Sequence, residues 1–470
     1  MPAALVIHPD RLFPAEPSVR GVARRLYEHV RALPIVSPHG HTEARWFALD
    51  EPFSNAFELL VAPDHYLYRM LYSQGVSLET LGIGPAGTGA GTAPREAWRE
   101  FARHYRLFRG TPSRVWLDQV FHELFGLAVV LEPATADLYF DTITAALACP
   151  PFRPRALYER FNIEVLATTD SPVDSLEAHR AIRASGWSGR VITTYRPDVI
   201  TDPQHESFAS ALRCFGELTG EDVFTWNGYL RGHRVRRAAF AALGATATDH
   251  GPATCATADL DPREAARLFG RILSGRFSAG EAEQFRAQML TEMARMSLED
   301  GLVMQIHPGV FRNHNRQLFQ SHGRDRGADI PQPTDYVHAL KPLLDRYGND
   351  PRLTLIVFTL DESAYSRELA PLAGHYPALR LGPAWWFHDS PEGLRRFREQ
   401  TTETAGFYNT VGFNDDTRAF LSIPARHDVA RRIDCGFLGR LVAEHRLEET
   451  EALDLAVDLA YRLAKQAYRL

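Results

Sequence analysis

Two histidines with a spacing suited to metal binding, His39 and His41, flank Gly40 directly after a short apolar run. In a β-strand, residues i and i+2 point to the same face, so both imidazoles can reach one point. Two neutral imidazoles at one point suit Zn²⁺ or a similar divalent ion, and Gly40 is expected to let neighbouring groups approach closely. A chance pair among the 19 histidines is the alternative, but the place at the end of an apolar run favours a metal site.

A third candidate ligand follows another apolar run, in the sequence Asp415-Asp416-Thr417-Arg418. In a closed barrel the first and last strands are neighbours, so a carboxylate here can complete a site of two histidines and one aspartate. Such a site leaves positions open for water or substrate, as catalytic metal sites do. The alternative is a helix N-cap, and one aspartate can cap while the other ligates. Arg418 adds a fixed cation suited to an anionic or polyhydroxy substrate.

Eight short apolar runs recur along the chain, most of them ending in polar residues, with amphipathic helical patterns between them. They are residues 34–36, 163–167, 191–194, 245–248, 302–306, 353–358, 378–381 and 409–413. This alternation is typical of a parallel β/α fold. An open doubly wound sheet would alternate in the same way. The chemistry at the ends of the runs favours a (β/α)8 barrel, because barrel active sites gather at the C-terminal ends of the strands.

The first two runs are separated by about 120 residues, and structureless loops of that length are rare. Helical patterns fill the gap, so we predict three parts: an N-terminal helix and first barrel strand (1–45), a mainly helical insertion over the barrel mouth (46–155), and the remaining barrel with C-terminal helices (156–470). The glycine-rich segment 82–94 is predicted to be a connector. A phosphate-binding loop would need a preceding strand and a following Lys, and this segment has neither.

The composition disfavours several other classes of protein. Hydrophobic residues make up 45% of the 470 residues and charged residues 23%, as in ordinary globular proteins. The net charge of -6 favours neither nucleic acid nor an anionic membrane as a partner. The four cysteines form no C-x-x-C pair and fit buried thiols in a reducing compartment. With no signal-peptide pattern in residues 1–20 and no run long enough to span a bilayer, we expect a cytoplasmic protein.

Eight motifs occur in an order that resembles one known family. They are Ser-Pro-His-Gly-His (37–41), Asp-His-Tyr-x-x-Arg (64–69), Thr-Thr-Asp-x-Pro-Val-Asp (168–174), Arg-Pro-Asp (196–198), Thr-Asp-His-Gly (248–251), Gln-x-His-x-Gly-x-x-Arg-Asn (305–313), Trp-Trp-Phe (385–387) and Asp-x-Arg (416–418). By these motifs, residues 8–440 resemble the uronate isomerase (glucuronate isomerase) family, a divergent branch of the amidohydrolase superfamily. The sequence departs at Ser37, where many members have Asp, and at Gly40, where many have Cys. These departures leave the preferred uronate open.

The resemblance implies a distorted (β/α)8 TIM-type barrel with a mainly helical insertion after the first strand. The implied reactions convert D-glucuronate to D-fructuronate and D-galacturonate to D-tagaturonate. By the family pattern, one divalent metal ion, commonly zinc, would be bound by His39, His41 and Asp416. His65 and Tyr66 would enter the site from the insertion. We also expect a hexuronate as the small-molecule partner and a homo-oligomer.

The resemblance further implies substrate contacts from Arg196, His307 and Arg418, with Trp385 or Trp386 forming a wall of the site. The residue types suit the reaction, because guanidinium groups can offer paired hydrogen bonds to a carboxylate. Without the family pattern, His307 could equally be a satisfied core histidine. The tryptophans could equally be core residues.

Isomerisation of an aldose to a ketose needs ring opening and then a proton transfer from C2 to C1 through a cis-enediol. Asp416 is the candidate proton carrier in ring opening, and Tyr66 or His65 the candidate participant in the C2-to-C1 step, with Arg418 beside them. The alternative for the segment Asp64-His65-Tyr66 is a helix cap with a buried polar pair. The alternative function is a metal-dependent hydrolase of the same superfamily, and a third is a sugar-acid binding protein without catalysis.

Lysine is scarce, and this bears on the number of metal ions. Only Lys341 and Lys465 occur in the chain. Binuclear amidohydrolases often bridge two ions with a carboxylated lysine at the end of an inner strand. Lys341 lies in a helical pattern and Lys465 near the C-terminus, so one metal ion is predicted.

Overall fold

Seven of the eight apolar runs form parallel strands of one curled sheet in the computed structural model, which describes residues 2–85 and 91–470. In chain order the strands are β1 (Ile35–Ser37), β2 (Ile163–Asp170), β3 (Val191–Tyr195), β4 (Ala247–His250), β5 (Val303–Ile306), β6 (Val310–Phe311), β7 (Ile330–Pro331), β8 (Leu355–Val357) and β9 (Leu379–Leu381). The sheet has the order β1-β2-β3-β4-β5-β8-β9, and every neighbouring pair is parallel. The short antiparallel pair β6 and β7 belongs to an excursion after β5. The predicted α/β barrel fold is confirmed.

The eighth apolar run, residues 409–413, differs from the prediction because it does not form a full strand. Thr410 makes a parallel bridge with Leu381, and the Leu381 amide donates to the carbonyl of Asn409 at 2.8 Å. Gly412 then takes a φ of +77°, which ends the extended conformation. Further along, the amide of His41 donates to the carbonyl of Thr417 at 3.0 Å. The segment therefore closes the gap between β9 and the end of β1 without a continuous ladder.

The strands alternate between two environments, as the two-residue period of a strand requires. One set of alternating residues packs against the surrounding helices, for example Met304 and Ile306 of β5. The other set faces the inside of the barrel and contacts residues of the C-terminal segment. The inward set comprises Val36, Val165, Ala167, Ile192, Ala247, Val303 and Ile356. In β3 and β5 the same alternation aims Arg196 and His307, which directly follow these strands, into the barrel mouth.

Helices fill the long connection between β1 and β2 and surround the rest of the sheet. Before β1 and in the first connection they are α1 (Pro17–Val30), α2 (Ala44–Leu49), α3 (Ala56–Leu60), α4 (His65–Tyr72), α5 (Pro94–His104), α6 (Pro112–Gln119), α7 (Ala136–Leu147) and α8 (Pro154–Arg160). The later ones are α9 (Glu177–Ala184), α10 (Asp198–Thr201), α11 (Phe208–Thr219), α12 (Trp226–Ala242), α13 (Pro262–Leu273), α14 (Ala279–Asp300), α15 (Arg316–His322), α16 (Lys341–Tyr347), α17 (Ala370–Ala373), α18 (Pro391–Ala405), α19 (Ile423–Ala443), α20 (Glu449–Val457) and α21 (Leu463–Tyr468). Single 3₁₀ turns occur at Tyr105–Phe108, Pro133–Thr135, Pro150–Phe152, Trp386–His388 and Phe420–Ser422, and π turns at Val120–Leu124, Tyr365–Leu369 and Asp458–Arg462.

The helices between β1 and β2 build one apolar cluster with each other and with the start of the sheet. Trp98, Phe101, Phe121 and Tyr139 lie at its centre and are fully or almost fully buried. The helical character predicted for this region therefore agrees with the structure, while the domain limits at 45 and 155 stay a prediction. Of the glycine-rich connector, residues 86–90 lie outside the described residues. No helix in the described part of the chain is long and apolar enough to cross a membrane.

Helix α21 forms a floor at the end of the barrel where the strands begin. Lys465 forms an ion pair with Glu164, the second residue of β2, at 2.5 Å. Arg469, directly after the helix, donates to the carbonyls of Gly301 and Arg352, which precede β5 and β8. The C-terminal segment thus joins three strands at the end opposite to the predicted site.

Tyr468 connects this floor to the strands that carry the predicted site. Its hydroxyl donates to Oε1 of Gln305 at 2.8 Å and accepts from Nδ2 of Asn414 at 2.5 Å. Gln305 and Asn414 each lie two residues before a predicted site residue. All three side chains are buried, so the hydroxyl has no water to replace its partners.

We expect Tyr468→Phe to lower the free energy of unfolding by about 1–3 kcal/mol, because buried polar atoms of Gln305 and Asn414 would lose their partner. Urea denaturation followed by circular dichroism measures the loss. Tyr408→Phe is the matched control, since the exposed Tyr408 donates one hydrogen bond to Asp458. An equal loss in both variants would contradict the importance of the buried hydroxyl.

Candidate active site

One cavity of about 400 Å³ lies at the C-terminal ends of the strands and brings the ten predicted site residues together. Its volume suits a small polar ligand such as a sugar acid. The predicted residues in its wall are His39, His41, His65, Tyr66, Arg196, His307, Trp385, Trp386, Asp416 and Arg418. Because these residues come from widely separated parts of the chain, their convergence is a property of the barrel.

An aspartate and two histidines meet across the seam of the barrel. Oδ1 of Asp416 lies 3.1 Å from Nε2 of His41 and 3.4 Å from Nε2 of His39. One donor atom each of His39, His307 and Asp416 also lie within 4.8 Å of one another. This three-residue cluster contains His307, which was not among the predicted ligands, and it does not include His41, whose Nε2 contacts Asp416.

The electrostatics of this cluster suit a cation. Burial lowers the pKa of His39 and of His41, which keeps both imidazoles neutral with free lone pairs. Burial alone would raise the pKa of Asp416, but the neighbouring His39 and His41 hold that pKa below its usual range. Two neutral nitrogen donors and one carboxylate are a common set for a catalytic divalent ion.

Three buried atoms of the cluster, including Nδ1 of His39, have no hydrogen-bond partner among the described residues, and two of them point to a ligand. Oδ1 of Asp416 and Nε2 of His307 have no hydrogen-bond partner within the described residues. A buried polar atom left without a partner costs about 1–3 kcal/mol. A bound cation would satisfy both atoms, so the residues present fit a divalent metal ion.

His307 is oriented by Asp249, a residue that sequence reasoning missed. Nδ1 of His307 lies 2.6 Å from Oδ1 of Asp249, which directs Nε2 towards the cavity. Asp249 also forms an ion pair with Arg196 at 3.0 Å. Burial would raise the pKa of Asp249, but Arg196 and His307 hold it well below its usual range. The signal was available in the motif 248–251, whose aspartate stands inside β4.

Arg196 is held by two carboxylates. Besides Asp249, its Nε donates to Oδ2 of Asp198 at 2.8 Å. Burial alone would lower the pKa of Arg196, but the two aspartates raise it above the ordinary value. The guanidinium is therefore charged, fixed in position and largely neutralised by its neighbours.

Helix α4 delivers two site residues from the region between β1 and β2. Asp64 caps it by accepting hydrogen bonds from the amides of Tyr66 at 2.8 Å and Leu67 at 3.4 Å. The helix-cap interpretation of Asp64 is therefore correct, and it coexists with cavity positions for His65 and Tyr66 in the first turn. Burial, followed by the charge of Arg418, lowers the pKa of His65 to about 4. Burial raises the pKa of Tyr66 well above its ordinary value, so the phenol is protonated.

The excursion between β5 and α16 supplies a charged wall that sequence reasoning also missed. Its Asp325 forms an ion pair with Arg418 at 3.1 Å, and its Arg312 pairs with Asp329 at 2.9 Å. The guanidinium of Arg312 also lies 5.2 Å from the ring centre of Trp386. The motif 305–313 contained Arg312, but nothing in its spacing indicated which of its residues face the cavity.

Backbone strain is concentrated around the cavity. Four non-glycine residues of its wall have positive φ angles, namely Asn313, Asp325, Trp386 and Asp416. This conformation is disfavoured for residues with a side chain and persists where the surrounding structure enforces it. The strain marks these residues as fixed by their contacts, as a binding site requires.

Two interpretations made from the sequence for residues beside the candidate metal ligands are wrong. Asp415 does not cap a helix, because its Oδ2 lies 3.1 Å from Nε2 of the buried His427 and α19 begins after Ser422. Gly40 is not required for close approach, because a Cβ there would meet the carbonyl of Ala167 at 3.5 Å, an ordinary contact. A Cβ therefore fits at position 40 without a clash.

The fold and site define an enzyme of the α/β-barrel class, with imidazole, carboxylate and guanidinium groups converging at the C-terminal ends of its strands. A model of the family described as glucuronate isomerase matches residues 18–468. The uronate isomerase of Xanthomonas campestris pv. campestris (strain B100) is 68% identical over 471 residues, covering 100% of both chains.

Solved structures agree with this match. The crystal structure of glucuronate isomerase from Caulobacter crescentus is 64% identical, covers 99% of this chain and 97% of its own, and superposes with a TM-score of 0.98. The uronate isomerase of Thermotoga maritima is 26% identical, covers 98% and 99%, and has a TM-score of 0.91. The chain belongs to the glucuronate isomerase family. It is an isomerase that interconverts D-glucuronate and D-fructuronate, which confirms the expected activity over the hydrolase alternative.

We expect Asp249→Asn to lower the free energy of unfolding by about 3 kcal/mol or more, because it removes a fully buried carboxylate that pairs with Arg196 and His307. Asp198→Asn is the matched control, since Asp198 pairs with the same guanidinium but is partly exposed. Urea denaturation of both variants measures the difference. A loss as large in the control would contradict the special role of the buried partner.

Proposed function

We propose that this protein isomerises both D-glucuronate and D-galacturonate in a site that holds one divalent metal ion, most suitably Zn²⁺. The observation that carries the proposal is the meeting of Asp416, His39, His41 and His307 beside Arg418 in one cavity. Imidazole and carboxylate donors in this combination suit zinc. When bound, such an ion supplies a Lewis acid at the oxygen atoms of the substrate.

A single ion is favoured by the positions of the two lysines. Lys341 lies at the start of α16 and pairs with Asp345, and Lys465 lies in the floor of the barrel with Glu164. Both are exposed or half-buried and neither belongs to the cavity wall. A bridging carboxylated lysine therefore has no candidate in this chain.

Ring opening comes first, because C1 must become an aldehyde before it can exchange oxidation state with C2. The bond between C1 and the ring oxygen O5 breaks while a proton leaves the C1 hydroxyl and another reaches O5. Asp416 is the proposed proton carrier between these oxygens. The neighbouring imidazoles hold its pKa low despite burial, so it starts the step as a base.

The isomerisation itself moves one proton from C2 to C1. A base removes the C2 proton as O1 gains one, which gives the cis-enediol. Return of a proton to C1 with loss of the O2 proton gives the ketose, so the step is balanced. His65, neutral at pH 7, and Asp416 are the proposed bases, and the protonated Tyr66 can give a proton to O1 and regain one from O2.

Arg418 is the cation best placed to meet the substrate. It has one carboxylate partner, Asp325, and its side chain is 40% exposed, whereas Arg196 is shared between two carboxylates. The partly neutralised Arg196 therefore holds Asp249, which in turn orients His307. Arg196 also orients nearby oxygen atoms of the substrate. Trp385 and Trp386 form an apolar wall against the sugar carbons.

We further propose that the protein acts in the cytoplasm as a homo-oligomer. The exposed Phe311 and Ile330 are cross-strand partners of β6 and β7 and present an apolar surface for contact between subunits. The net charge of -6 gives no attraction to nucleic acid or to an anionic membrane. Gel filtration with light scattering would test the oligomer, and a monomer would refute it.

The proposed substrates are tested by incubating the purified protein with D-glucuronate or D-galacturonate and following ketose formation. We expect both to react, because the two sugars share the C1, C2 and C6 groups that the site addresses. Conversion of glucuronate alone would exclude the second substrate. Reaction of a generic ester or amide with neither uronate isomerised would favour the hydrolase instead.

Metal content distinguishes ligands from substrate-binding residues. We expect His39→Ala to weaken metal affinity by more than the roughly 10- to 100-fold that is typical of outer partners, since a direct donor is lost. Arg418→Ala should keep its metal and lose substrate affinity or rate. Mass spectrometry of bound metal after dialysis measures both. Equal loss of metal in Arg418→Ala would contradict this division of roles.

A further inference from the structure

A buried cation that the reaction scheme leaves unused lies in the cavity wall beside Tyr66. Arg426 comes from the first turn of α19, and its side chain is only 2% exposed. Its Nη1 lies 2.5 Å from Oδ2 of Asp389, and its Nε donates to Oγ of Ser422 at 3.1 Å. The guanidinium lies over the ring of Trp116, 3.6 Å from the ring centre. Three contacts of different kinds therefore fix this group in one position.

The same contacts place Arg426 against Tyr66. Its Cζ lies 6.0 Å from the centre of the Tyr66 ring, and Tyr66 meets Trp116 edge to face at 6.3 Å. Arg426, Tyr66 and Asp64 all contribute to the wall of the cavity. Within the described residues, the terminal nitrogen Nη2 of Arg426 has no hydrogen-bond partner, and it is not fully enclosed. The guanidinium therefore has one nitrogen without a partner, and Arg426 forms part of the cavity wall.

The charge of Arg426 is only partly neutralised by its partner. Burial raises the pKa of Asp389 to about 7 in spite of the adjacent Arg426. Burial would lower the pKa of Arg426, but Asp389 and Tyr66 hold it above the ordinary value, so the guanidinium stays charged. For Tyr66, burial raises the pKa and the charge of Arg426 is the largest effect in the opposite direction. Tyr66 therefore faces one fixed cation, Arg426, whose charge is only partly neutralised.

We propose that Arg426 is a positioning residue for Tyr66, whose guanidinium orients the tyrosine through Trp116 and stabilises the negative charge that develops on its phenol oxygen. This inference rests on the proposed role of Tyr66 as the proton donor to O1. When Tyr66 gives up its proton, a nearby cation in a water-poor site favours the charged form and needs no rearrangement. Arg426 acts on the reaction through Tyr66.

A purely structural role is the competing explanation, and a second buried ion pair in the same helical layer provides the control. Arg398 of α18 pairs with Asp434 of α19 at 2.7 Å, and the two side chains are 4% and 11% exposed. This pair does not belong to the cavity wall. Arg398→Gln therefore removes a comparable buried cation without touching Tyr66.

The test is a double-mutant cycle between Arg426 and Tyr66 in the metal-loaded enzyme, with D-glucuronate as substrate. We expect Arg426→Gln to lower kcat by about 10- to 100-fold with KM within about threefold, because the interaction belongs to the transition state. Arg426→Lys should recover part of the loss by keeping the charge. In the Tyr66→Phe background, Arg426→Gln should have almost no further effect, because the group on which it acts is gone.

The controls distinguish an effect of Arg426 on catalysis from a loss of protein stability. They also distinguish failure of this inference from failure of the proposed role of Tyr66. Arg398→Gln should lower the unfolding temperature about as much as Arg426→Gln but leave kcat within about twofold. If Tyr66→Phe is severely impaired and the Arg426→Gln loss simply adds to it, the inference is overturned and the role of Tyr66 stands. If Tyr66→Phe isomerises at the wild-type rate, the role of Tyr66 falls and this inference falls with it. Should Arg426→Gln not fold, the same cycle is decided with Arg426→Lys.

Discussion

The contact of Asp416 with His39 and His41 is the interaction on which the rest of the structure depends. An ionised carboxylate in a buried place needs compensation, and here two imidazoles from the other end of the chain provide it. The backbone bond from His41 to Thr417 adds a second tie at the same place. Closure of the barrel and assembly of the active site are therefore one event. A change in the path of either segment would disturb both.

The C-terminal helix compensates for the incomplete eighth strand. Where a full ladder would hold residues 409–413, the hydroxyl of Tyr468 joins Asn414 to Gln305 from below. Gln305 lies two positions before His307 along the same strand direction, and Asn414 lies two positions before Asp416, so the floor is joined to both segments that carry these site residues. A segment far from the chemistry thus takes part in its geometry.

The strand positions could be predicted well from the sequence. The ion pairs between residues far apart in the chain could not. Apolar runs that end in polar residues can be recognised from the local sequence alone, and His39, His41 and Asp416 follow such runs. The positive φ of Gly412 interrupts the eighth run, and the residues packed around it, Leu459, Leu463 and Ala464, lie far along the chain. Arg426 lies in an arginine-rich helix that resembles a solvated face, yet α19 is buried on most sides. Its partner Asp389 is 37 residues away, and only the fold brings them together.

Three of the arginines in the cavity wall, Arg196, Arg418 and Arg426, differ in how far their charge is neutralised, and this difference separates their roles. Arg196 faces two carboxylates and belongs to a rigid support under His307. Arg418 has one partner on a surface excursion and keeps a charge that a substrate can reach. Arg426 has one buried partner, Asp389, and burial raises the pKa of Asp389 to about 7. Much of the positive charge of Arg426 therefore remains unneutralised beside Tyr66. In a water-poor cavity the unneutralised charge, and not the number of arginines, decides where a developing anion is stabilised.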